Sequence, residues 1–254
     1  MRIVQLSDLH LRPQALYSGV DPWSALTGAL SRARSFAPDL LLLSGDLADD
    51  GEAATYCRLL EALEEYGLPY AVLPGNHDER KTLRDVFSRQ AWSHPQLACQ
   101  RADLGNISLL LLDSVIPGEE GGKVRQQHID WLESHCPSVR RVALVLHHPP
   151  FRIGIEGMDA IACQGGELLA AWLATKPQVE RVLCGHVHRH VTTDFAGRLA
   201  LTAPSTVHQI ALQDGPLAYT PEAGGLLVHD VLPGEPWRTH YLPLAAAPVI
   251  VYPE

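Results

Sequence analysis

Five short apolar segments, each closed by a polar cluster at its carboxyl end, constrain this chain more than any other feature. "RIVQLS" runs into Asp8 and His10, "DLLLLS" into Gly45-Asp46, and "PYAVLP" into Gly75-Asn76-His77-Asp78. "RVALVL" runs into His147-His148, and "VERVLC" into Gly185-His186 and His188. Runs of this length, leucine-rich or β-branched and without polar alternation, read as strands buried on both faces. In open α/β sheets ligands gather outside the carboxyl ends of the strands, so the five clusters are expected on one rim.

Helical stretches separate the runs. "DPWSALTGALSRARSF" offers Asp21 as an N-cap and Pro22 at the first helical position. "GEAATYCRLLEALEEYG" carries leucines and Tyr66 at helical spacing and closes on Gly67. Further helices are expected near 79–89, over 124–135 and over 164–175. "LACQRADLGNISLLLLDS" reads as two strands around a Gly-Asn turn. After residue 190 only strands are expected: "HVTTDF", "RLALTA", "STVHQIAL", "GGLLVHDVL" and "WRTHYLPL". The proline-containing tail, 243–254, is expected to be loose or to pack on a partner.

Singly, each cluster has a bland reading: Gly-Asp after a strand is usually a turn, and a lone histidine usually packs. Five in order at the ends of apolar runs do not arise that way. Imidazole and carboxylate together suit Fe, Mn, Zn or Co. Asp8, His10 and His188 form one candidate ligand set, and Asn76, His147 and His186 a second. Asp46 joins them as a bridging carboxylate. Two divalent metal ions so held would clamp the attacking and leaving oxygens of a phosphoryl centre.

The motifs "SDLH", "GDLADDG", "GNHDE", "HHPP" and "GHVH" resemble those of the calcineurin-like metallophosphoesterases. Within that superfamily the chain is similar to the class III cyclic nucleotide phosphodiesterases and the related glycerophosphodiesterases. "MDAIAC" (158–163) and "STVHQ" (205–209) favour the latter branch. The resemblance spans about residues 1–210. It implies a four-layered α/β/β/α sandwich, formed as a single domain over 1–254. Residues 211–254 would complete the second sheet and serve assembly into a homo-oligomer. It implies that Asp8, His10, Asp46 and His188 hold one metal, and Asp46, Asn76, His147 and His186 the other. His77 is the implied phosphate-contacting histidine and His208 a second substrate-facing one, with Asn76 also touching substrate. The implied activity is hydrolysis of small phosphodiesters, 3',5'-cyclic nucleotides or glycerophosphodiesters, by attack of a metal-bound hydroxide. A phosphomonoesterase or phosphoprotein phosphatase is the alternative on the same scaffold. A non-catalytic scaffold would be free to lose ligands, and all seven stand.

Other residues receive quieter expectations. His148 and Asp78 should orient neighbours, Asp113 should be a turn residue, and Cys184 should pack rather than bind metal. Asp49, just past the bridging carboxylate, is a candidate for a substrate hydroxyl. The net charge of −9 and the lack of a Lys/Arg run argue against a nucleic-acid groove. No run is long enough for a membrane span. Five scattered cysteines and an opening strand with no signal peptide before it lead to the expectation of a cytoplasmic protein.

Overall fold

The structure is a computed structural model that describes residues 1–14, 19–245 and 250–252. In chain order the elements of the first third are β1 (Arg2–Leu6), α1 (Pro22–Arg34), β2 (Leu40–Ser44), α2 (Ala53–Tyr66), β3 (Tyr70–Leu73) and α3 (Arg80–Val86). The middle holds β4 (Gln100–Leu104), β5 (Ile107–Leu112), α4 (Gln126–His135), β6 (Arg141–Leu146), α5 (Glu156–Ala160), α6 (Gly166–Ala174) and β7 (Val179–Cys184). The remainder is all strand: β8 (Val191–Phe195), β9 (Arg198–Thr202), β10 (Gln209–Ile210), β11 (Tyr219–Thr220), β12 (Gly225–Asp230) and β13 (Arg238–Pro243).

The leucine runs explain the layering. Successive side chains of a strand point to opposite faces, so a strand apolar at every position must be covered twice. In β2, Leu41 and Leu43 join Leu26, Leu30, Leu59 and Leu63 of α1 and α2 in one core. Leu40 and Leu42 face the other way and pack with Leu109, Leu111 and Val145 of the second sheet. A third core puts Trp131, Leu169 and Trp172 of α4 and α6 against Leu110, Leu144 and Val182. Helix, sheet, sheet and helix therefore stack in four layers. Asp21 caps α1 through the backbone N–H groups of Trp23 and Ser24, and Gly67 ends α2 in the left-handed conformation, both as the sequence leads one to expect.

The strand order differs from the sequence reading. The five motif-bearing runs do not share one sheet. One sheet runs β13-β12-β1-β2-β3 and the other β4-β5-β6-β7-β9-β8. The C-terminal strands do not complete the second sheet; β12 pairs antiparallel with β1 and β13 follows it, so both extend the first. Burial on both faces suits β12 to this inner place: Leu226 and Val228 meet the helices, and Leu227 meets the inter-sheet core. Of "STVHQIAL" only Gln209–Ile210 is strand. The other positions form a loop whose Ser205 hydroxyl donates to the Asp8 carbonyl at 2.7 Å. Half of the proline-containing tail, 246–249 and 253–254, lies outside the described residues.

Candidate metal centre

The strand ends of the two sheets meet, and the polar clusters meet with them. β1 and β2 run parallel, so Asp8 and Asp46 leave them on the same side. β6 and β7 do the same for His147 and His186 in the other sheet. Gly75 is the spacer that lets β3 approach. A Cβ there would lie 2.1 Å from Asp46 Oδ1 and 2.7 Å from His147 Nε2. Asp8, His10, Asp46, His186 and His188 all adopt positive φ, between 46° and 70°. Such conformations cost about 1 kcal/mol or more each and gather where function over-determines the backbone.

The imidazoles point their nitrogens in a common sense. His10 Nδ1 meets Asp49 Oδ1 at 2.9 Å, which makes it the donor and leaves Nε2 a bare acceptor. His147 Nδ1 donates to the Ser44 carbonyl at 2.9 Å, and His186 Nε2 donates to the Ile161 carbonyl at 3.2 Å. Their other nitrogens turn inward. His10 Nε2 faces His188 Nε2 at 2.8 Å. His186 Nδ1 faces Asn76 Oδ1 at 3.0 Å, and His147 Nε2 lies 3.3 Å from Asp46 Oδ2. At such distances each pair must share either a proton or a cation. His147 Nε2 and His188 Nδ1 are also buried without a hydrogen-bond partner among the described residues. The carboxylates of Asp8 and Asp46 are buried too, and no Arg or Lys side chain pairs with them among the described residues.

Buried carboxylates without such a partner need imidazolium or metal. In the metal-free chain the imidazoles respond. Burial alone would depress His147, but Asp46 and Asp8 raise it to about 9. Burial lifts the Asp8 carboxyl to about 6 against the pull of His147. Burial also opposes the Asp46 charge, yet His147, His77 and His10 hold it well below the usual carboxylate range. Asp8, His10, Asp46 and His188 bring four donor atoms within 4.8 Å of one another, as do His147, His148 and His186 with three. This donor set fits borderline divalent metals.

Asp49, singled out in the sequence for a substrate hydroxyl, has a different role in the structure. One of its oxygens takes both His10 Nδ1 and His77 Nδ1 at 2.9 Å, and the other takes Arg12. It therefore orients two histidines, and is engaged rather than open to a substrate hydroxyl. Its position three residues past Asp46 was the available signal. Asp78 behaves as expected, accepting from the backbone N–H groups of Leu47, Ala48 and Gly75 and from the Tyr56 hydroxyl. That carboxylate ties the Asp46 turn to the Asn76 turn. His148 bridges Ser114 Oγ and the Glu120 carbonyl. Asp113 is more than a turn residue: it is buried and paired with Arg80. Cys184 packs in the core of the second sheet.

His77 is the least buried histidine of the group, and its Nδ1 is taken by Asp49. Burial would lower its pKa, but Asp49, Asp46 and Asp78 raise it to about 9. His208 packs beside His188 and Tyr219, with ring centroids 4.8 and 5.3 Å away. Burial and the neighbouring His10 depress it to about 4, so it is neutral near pH 7.

The sequence profile of the calcineurin-like phosphoesterases matches residues 1–190. The chain belongs to that family. It is 30% identical to the 3',5'-cyclic adenosine monophosphate phosphodiesterase CpdA of Escherichia coli, over 94% of this chain and 84% of that one. It is 29% identical to the glycerophosphodiester phosphodiesterase GpdQ of Enterobacter lignolyticus, over 96% and 92%. A dimetal phosphatase from Danio rerio shares the fold, with a TM-score of 0.73, 14% identity and 96% coverage of both chains. No helix among the described residues is long and apolar enough to cross a membrane.

Proposed function

We propose that the protein is a metal-dependent phosphodiesterase working with two divalent ions, drawn from Fe, Mn, Zn and Co. Asp8, His10, Asp46 and His188 would hold one ion, and Asp46, Asn76, His147 and His186 the other. The observation that carries this is the inward convergence of imidazole nitrogens on two buried carboxylates. Bound there, the ions would supply Lewis acidity against charge developing on the phosphoryl oxygens. The chain's own residues do the rest. Asp49 fixes the His77 ring through Nδ1 and favours its protonated form, from which Nε2–H would donate to a phosphoryl or leaving oxygen. His208 is neutral, which suits it to a wall and a hydrogen-bonding role toward substrate rather than to proton delivery.

Diesters are favoured over monoesters by the arginines that follow the motifs. Arg12 pairs with Asp49, Arg80 with Asp113, Arg152 with Asp159 and Arg189 with Glu222. Each guanidinium is thus already matched, and a monoester dianion gains no clamp from them. The substrates are small diesters of the kinds named for the relatives, cyclic AMP and glycerophosphodiesters. The test is kcat/KM for bis(4-nitrophenyl) phosphate and 4-nitrophenyl phosphate on one metal-loaded preparation. The diester should lead, and a monoester lead would overturn the assignment in favour of a phosphomonoesterase.

A further inference from the structure

Two cavities meet at His77. The first, of about 260 Å³, contains His10, Asp46, Asn76, His186 and His188 and is walled by Met158, Ile161, Ile210 and Leu217. The second, of about 760 Å³, runs from His77 along α3 to Trp92 and Pro95, with Val115 and Pro117 on its far side. The first is thus largely apolar opposite the candidate metal centre, with Glu120 also in its lining, whereas the second is polar and charged.

Most charged side chains of the second cavity have ionic or hydrogen-bonding partners. Arg80 pairs with Asp113 and Lys81 with Asp85. Glu79 accepts from the backbone of Lys81 and Thr82, and Asp50 from Glu52 N–H and the Thr55 hydroxyl. Arg84 differs. Its guanidinium donates to the Pro95 carbonyl at 3.1 Å, and no carboxylate pairs with it among the described residues. A guanidinium has five N–H donors in a planar fork, so a single carbonyl leaves most of them for an anion.

Building on the phosphodiesterase reading, we propose that the enzyme takes open-chain diesters whose two substituents lie in different arms. One substituent, apolar or aromatic, sits against Met158, Ile161, Ile210 and Leu217. The other extends past His77 and carries a further anionic group, a carboxylate or phosphate, read by Arg84. A diester places one substituent on each side of phosphorus, and two unlike arms on each side of His77 match that shape. A cyclic diester carries both ester oxygens on one group and leaves the larger arm empty.

The test uses two nearly isosteric esters on the metal-loaded enzyme, 4-nitrophenyl 2-carbamoylethyl phosphate and 4-nitrophenyl 2-carboxyethyl phosphate. The nitrophenyl ring suits the apolar arm in both. The carboxyethyl ester should have the higher kcat/KM by about tenfold, as a charge-assisted hydrogen bond allows. Arg84→Gln should bring the ratio close to one, and Arg84→Lys should keep part of it. Arg89→Gln, which alters an exposed residue paired with Glu64, should leave the ratio as in the wild type. A wild-type ratio near one, or a ratio that survives Arg84→Gln, overturns the anion-reading arm alone. Failure of the wild type to hydrolyse either ester overturns the phosphodiesterase reading beneath it.

Discussion

Gly75→Ala adds one methyl group where the two halves of the site touch. Gly75 does not have positive φ, so alanine can adopt its backbone conformation and the perturbation is purely one of space. The new Cβ would stand 2.1 Å from Asp46 Oδ1, 2.4 Å from Asp46 N and 2.7 Å from His147 Nε2. Ordinary contact begins at 3.4 Å, so the turn must retreat by about 1.3 Å. Two of the three obstacles are the proposed bridging carboxylate and a proposed ligand nitrogen, and the third is backbone. None is the free end of a flexible chain. Overpacking of this kind costs roughly 1–3 kcal/mol of stability. The functional loss should be larger, because a displacement of about 1 Å in a catalytic constellation costs on the order of 10²-fold in rate. Gly28→Ala is the matched control. Gly28 lies within α1 with nothing near its would-be Cβ, so alanine should raise stability by roughly 0.5–1 kcal/mol. The assay is kcat/KM on bis(4-nitrophenyl) phosphate at saturating metal, with thermal unfolding of both variants. Activity of Gly75→Ala within a fewfold of wild type would refute the close approach of the Asn76 turn to Asp46 and His147.

Three further outcomes follow from the histidines. If His77 protonates the leaving oxygen, His77→Ala should cost about 10²–10⁴-fold on an alkyl diester. It should cost far less on a nitrophenyl diester, which leaves without help; equal losses would point to phosphate binding. The active form is the protonated one, so alkyl-diester activity should fall on the alkaline side as His77 loses its proton, and Asp49→Asn, which removes a carboxylate that favours the charged ring, should move that limb to lower pH. His229, which is not one of the candidate ligands, is buried between Gln5 Oε1 and Thr239 Oγ1, and burial depresses it to about 3. The unfolded chain binds that proton below its ordinary pKa near 6.5 and the folded chain does not. Stability is therefore present above about 6.5 and lost as pH falls toward 3. By linkage the loss between pH 7 and 5 is about 2 kcal/mol. Urea unfolding of metal-free protein should show the gap between wild type and His229→Gln shrinking by that amount, and a constant gap would mean that His229 is not neutral when folded.

What was legible in the sequence was local. The runs ending at Leu6, Ser44, Leu73, Leu146 and Cys184 declare themselves because a strand covered on both faces has no polar alternation. The caps at Asp21 and Gly67 rest on neighbouring residues alone. The convergence of seven candidate ligands follows from parallel strands ending on the same side. What was not legible was which strand neighbours which. Nothing in "GLLVHD" says that it pairs with "RIVQL" rather than with a strand nearer in sequence, because both choices bury the same leucines. The role of Asp49 was hidden for a similar reason. Its carboxylate takes three partners, and only folding brings His10, His77 and Arg12 to it.

The central claim is that the imidazoles of His10, His147, His186 and His188 and the carboxylates of Asp8 and Asp46, with Asn76, are arranged for two cations. The most direct measurement is elemental analysis of protein reconstituted with manganese or zinc and freed of excess metal, with activity followed against metal added. Saturation near two ions per chain, with activity rising to the second equivalent, is the predicted result. Saturation at one ion with full activity would contradict it.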